Sequence, residues 1–149
     1  MVKSETPMPL DSPRTPYLGR YLAVSAAVMV GIGAVNISLR IFTGYSLPSG
    51  AASIIPPMIA ALHVGQVWGR DRGSVPDNRT AWRWAGVAGL VYLALQMLIV
   101  PVVIARANHT PEIIALVAVI IAGVTLAAIV INRLFLTMGA KGAVAGPRT

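Results

Sequence analysis

Four stretches of the chain are almost purely apolar, and short polar segments separate them. The first runs from Tyr21 to Phe42 and is polar only at Ser25, Asn36, Ser38 and Arg40. The second, Leu47 to Trp68, contains the adjacent prolines Pro56 and Pro57, and the third, Trp84 to Ile104, has Gln96 as its one strongly polar side chain. The fourth opens on Thr110 as N-cap, Pro111 at the first helical position and Glu112 in the first turn, and continues to about Phe135. At 1.5 Å per residue, about 20 residues of helix cover roughly 30 Å, the thickness of the hydrocarbon layer. The runs do not alternate apolar with polar residues, as strands of a membrane barrel would. The pattern predicts an all-α fold, an integral membrane four-helix bundle, mostly antiparallel because its connections are short. The second helix is expected to be kinked or broken at Pro56 and Pro57, where the carbonyls of Ala52 and Ser53 lose their usual amide partners.

The segments outside the runs complete the layout. Pro7, Pro9, Pro13 and Pro16 make residues 1–16 an expected flexible tail, with the four-span transmembrane domain over 17–138 and a second flexible tail over 139–149. The first apolar run starts too late, and lacks a small-x-small end, for a secretory signal peptide.

Composition excludes a water-soluble domain: 56% of residues are hydrophobic and 11% charged, against roughly 25% charged in an ordinary soluble domain. The net charge of +7 would suit nucleic acid if it were gathered on one face. Instead it flanks the apolar runs, so nucleic acid is not an expected partner. Lys3, Arg14 and Arg20, then Arg70, Arg72, Arg79 and Arg83, then Arg133, Lys141 and Arg148 occupy three of the five flanking regions. Arg40 and Arg106 alone occupy the other two. Positive charge is retained on the cytoplasmic side, which places both termini and the middle loop there. Membrane lipids, including anionic head groups, are then the expected partners of the basic flanks.

Within lipid, helices associate by close backbone approach and interhelical polar contacts. The ladder Gly19, Ala23, Ala27 and Gly31 is the foremost candidate packing face, with shorter ones at Ala61, Gly65 and Gly69, at Ala81, Ala85 and Gly89, and around Gly123 and Ala127. Asn36, Ser53 and Gln96 fall at similar depth and are candidate polar interhelical contacts. His63, further inward, is expected to bond a neighbouring carbonyl.

Catalytic chemistry is not legible. His63 and His109 fall at opposite ends of the layout, cysteine is absent, and no Asp or Glu lies deep in a span. No nucleophile elbow, zinc motif or phosphate loop is present. Neither a metal nor another cofactor is expected.

The stretch "YSLPSGAASIIPPMIAALHVGQVWGRDRG", Tyr45 to Gly73, with its basic loop and the following "AWRWA", resembles a family of small, uncharacterised bacterial inner-membrane proteins, chiefly of alphaproteobacteria. The resemblance implies a four-span fold and an inner-membrane location, and carries no activity. The expected role is that of a non-enzymatic structural or accessory subunit of a membrane complex, or of a homo-oligomer. The alternative is a small transporter or channel subunit using the irregular second span.

Overall fold

The computed structural model describes residues 16–104 and 110–146. Within them the chain forms four helices and no strand: α1 (Leu18–Thr43), α2 (Ser49–Arg72), α3 (Asn78–Ile104) and α4 (Pro111–Ala145). Each apolar run falls on one helix, the second beginning two residues ahead of α2. The first fifteen residues of the expected N-terminal tail, and Arg106, His109 and Arg148, lie outside the described residues. By length and composition α1 and α4 can each cross a membrane.

The ends of the helices follow local chemistry. Tyr17 sits ahead of α1 in the left-handed region, φ 67°. This conformation costs a non-glycine residue roughly 1–2 kcal/mol, and contacts on α2 hold it there: Tyr17 Oη donates to Asp71 Oδ2 at 2.8 Å, and its ring meets Trp68 edge-on. Gly44 and Gly73 close α1 and α2 with positive φ, each amide bonding the carbonyl four residues back. Asp77 opens α3 by accepting the backbone N–H groups of Arg79 and Thr80. Thr110 is the N-cap of α4, with Pro111 at the first helical position, as the sequence predicts.

Of the two alternatives for the second helix, kinked or broken, the break is absent: it is continuous from Ser49 to Arg72, through both prolines. The expected tail at 139–149 is helical as far as Ala145, with Gly139 and Ala140 fully inside the bundle. Tertiary contact, and not local propensity, keeps this glycine-containing segment helical.

The packing order also departs from that of a simple up-and-down bundle. α1 and α2 pair antiparallel, with Asn36 near Leu47 and Tyr17 near Trp68. α3 and α4 do the same, with Asn78 and Trp82 near Arg133 and Gly89 against Ile129. The most extensive contact, however, joins α2 to α4, and it is parallel. Gly65 faces Leu136, Gly69 faces Ala140 and Ala143, and Gly139 faces Leu62 and Gln66. Two antiparallel hairpins are thus docked through a parallel seam. A Cβ added at Gly69 would stand 2.6 Å from the carbonyl oxygen of Ala140, and the same addition at Gly65 or Gly139 would strike backbone carbonyls of the opposite helix. Glycine is required there because the two main chains touch.

Both hairpins carry their described cations toward one end. Arg20, Arg70, Arg72, Arg79, Arg83, Arg133 and Lys141 belong to this basic end, and Arg40 to the opposite one. The core lies toward the basic end, formed by Tyr21, Val64, Trp68, Trp84 and Leu136 with small residues between them. At the opposite end α1 and α4 stand apart, with Val30 73%, Phe42 84% and Val119 69% exposed.

Candidate functional site

A buried polar junction joins three helices at the basic end. Tyr21 of α1 and Asn132 of α4 are fully buried. The Asn132 amide donates to Tyr21 Oη at 3.0 Å, and the hydroxyl donates back to Asn132 Oδ1 at 3.2 Å. The Tyr21 ring meets Trp84 of α3 edge-on, with centroids 5.4 Å apart and planes at 87°. This is the favoured geometry for rings with negative faces and positive edges. Trp84 Nε1 donates to the carbonyl of Pro16 at 2.9 Å, which ties the start of α1 to α3. One turn above Tyr21, Ser25 is also fully buried, with its hydroxyl beside the junction.

A second polar joint lies at the proline pair. Pro57 has no N–H, so the carbonyl of Ser53 loses its helical partner, and the hydroxyl of Tyr92 on α3 takes that place. Tyr92, Pro56 and Pro57 are all buried. The freed carbonyl of Ser53 is satisfied by an aromatic hydroxyl.

The four candidate polar residues do not assemble. Asn36 Oδ1 accepts the backbone N–H of Leu47 at 3.0 Å and fastens the α1–α2 connection. Ser53 contributes its carbonyl to Tyr92. Gln96 has a buried Nε2 without a partner, and His63 is exposed. The ladder Gly19, Ala23, Ala27 and Gly31 lies on the exposed face of α1, and a Cβ at Gly19 or Gly31 would meet nothing within 4 Å. Close packing inside the chain falls instead to Gly65, Gly69 and Gly139.

Sequence reasoning missed Tyr21, Tyr92 and Asn132 as contact makers. Asn132 carried a usable signal, because an amide within an apolar helix needs a partner. The two tyrosines carried none, since the same residues also serve as interfacial anchors.

At the surface, Asp77 is held as an anion at the start of α3. Hydrogen bonds from the Thr80 side chain and amide, and then from the Arg79 amide, keep its carboxyl below the usual carboxylate range. Both polar joints offer hydroxyls, amides and carbonyls but no carboxylate, imidazole or thiol. Among the described residues no three acidic or histidine side chains converge as a metal site would require. The chemistry of the junction is interhelical hydrogen bonding. No protein-family model, curated protein or solved structure matches the chain.

Proposed function

We propose that the chain is a non-enzymatic integral membrane protein of the bacterial inner membrane, crossing it four times with both termini cytoplasmic, and that it serves as a structural or accessory subunit. The observation that carries this reading is the two-ended distribution of charge: the hairpin contacts gather the described cations, Arg40 apart, at one end, together with Tyr17, Trp68 and Trp82. Basic residues and interfacial aromatics at one level are what a cytoplasmic membrane interface selects. The exposed apolar surface of α1 and α4 supports the same reading, since such a surface is stable against lipid and not against water.

The closed joint at Pro57 favours a structural role over a small transporter or channel subunit. A transport site built on a broken helix needs polar backbone groups open to a cavity, and here Tyr92 occupies the freed carbonyl of Ser53. The ladder Gly19, Ala23, Ala27 and Gly31, unused within the chain, is the face offered to a larger complex or to another copy. The resemblance of Tyr45–Gly73 to small alphaproteobacterial inner-membrane proteins accords with this location.

Carbonate extraction and paired reporter fusions test the proposal. The protein should stay with the membrane after carbonate treatment, with a cytoplasmic signal from the loop at Asn78 and an external one near Asn108. Release by carbonate refutes the membrane assignment, and inverted signals refute the orientation. A single monodisperse monomer without partner in mild detergent would argue against the subunit role.

A further inference from the structure

Arg133 is a cation on a helix otherwise apolar from Ile113 to Leu136 apart from Thr125 and Asn132, and among the described residues it has no carboxylate partner. A fixed charge in such a setting requires compensation. Its guanidinium stands 4.7 Å over the Trp82 ring and donates from Nη2 to Asn78 Oδ1 at 2.8 Å. Nε is buried, and among the described residues it has no hydrogen-bond partner. The remaining amine, Nη1, is accessible and makes no bond.

An apolar groove leads away from this group. α3 and α4 cross where Gly89 meets Ile129, and the 100° step of a helix places Trp82, Gly86 and Leu90 on one side of that contact. For an antiparallel partner the same step places Arg133, Leu126 and Val130 on that side too. α1 lies on the other side, where Tyr21 reaches Trp84 and Asn132. The groove faces outward: Leu90, Leu126 and Val130 are exposed, and a Cβ at Gly86 would meet nothing within 4 Å.

We propose that this groove binds one phospholipid with an anionic head group, its phosphate accepting from Arg133 Nη1 and an acyl chain lying over Gly86 between α3 and α4. The charge selects an anion, and the apolar track running from it selects a lipid over a free phosphate. The position matches, because Arg133 sits beside the first turn of α3 at the basic end, close to the level of head-group phosphates. This inference rests on the membrane reading. Failure of that reading would appear separately, as release of the protein by carbonate.

Native mass spectrometry of the full chain in mild non-ionic detergent, with graded phosphatidylglycerol or phosphatidylcholine, tests the site. The wild type should retain one phosphatidylglycerol with about tenfold preference, and Arg133→Gln should reduce that retention about tenfold. Gly86→Leu, at an open position that leaves the fold intact, should weaken retention by filling the groove, and it decides the matter alone if Arg133→Gln fails to fold. Equal retention of the two lipids, or retention unchanged in both variants, overturns the proposal. Displacement of the lipid by millimolar inorganic phosphate would make this a free-anion site and overturn the lipid assignment.

Discussion

The two ends of the molecule are built by different means from the same kinds of residue. Toward the basic end, glycine sits where main chains touch, and the buried hydroxyl of Tyr21 has its partner across helices. Toward the opposite end α1 and α4 are as apolar, and α1 as rich in small residues, yet among the described residues these segments touch little. Hydrophobicity is therefore not what brings these helices together. On the proposed membrane reading, an apolar side chain gains little by leaving acyl chains for another helix, so association depends on fit and on polar contacts.

The largest test of this contrast sets Gly139→Leu against Gly31→Leu. At Gly139 a side chain would strike Leu62 and Gln66 backbone atoms, so the variant should lose about 3 kcal/mol or more of stability in mixed-detergent unfolding. Gly31 is open, and its variant should keep fold stability to within about 0.5 kcal/mol while weakening any self-association. Equal losses from the two would erase the distinction between the ends.

Next in size is Asn132→Leu, which removes the amide that Tyr21 bonds. The same unfolding assay should show a loss of about 0.6–2 kcal/mol. No loss would mean that shape alone sets the junction. Tyr92→Phe leaves the Ser53 carbonyl without its hydroxyl and should cost about 1 kcal/mol. The cost should shrink in a Pro57→Ala background, where a restored N–H reaches the same carbonyl. A double-mutant cycle measures that coupling, and strict additivity would contradict the proline-joint account.

The smallest effect is at Asp77, outside the core. Its carboxyl titrates lower when folded because Thr80 and Arg79 hydrogen-bond the anion. The stabilisation is thus fully present above the unfolded-state value near pH 4 and is lost as pH falls through the lower folded value. Amide exchange at Arg79 and Thr80 should quicken over that acid range, while amides near Asn132 stay protected. Asp77→Ala should give the fast exchange already at neutral pH.

The helices themselves were legible, since apolar runs of about 20 residues leave few other conformations. What the runs could not convey was which helix meets which. Short connections pointed to sequential neighbours, and they do form the α1–α2 and α3–α4 hairpins, but the α2–α4 seam depends on Gly139. That residue lies in a segment whose composition reads as tail, and its helix is stabilised by the contact itself. At the proline pair the sequence marks carbonyls that need new partners, and the Ser53 carbonyl has one. Its partner, Tyr92, is distant in sequence, and only three-dimensional placement supplies it. The α1 ladder carries a different lesson, because four-residue spacing marks a face that can pack and says nothing of which neighbour meets it.

The parallel α2–α4 seam has a consequence for the order of events at the ribosome. Helix α2 leaves the ribosome with Gly65 and Gly69 uncovered, and their mate at Gly139 has yet to be translated. At about 5–20 residues per second the interval lasts several seconds, during which the first hairpin is complete but its glycine face is open. The seam is thus the last contact of the fold to form, and the glycine face of α2 stays open until the end of α4 arrives.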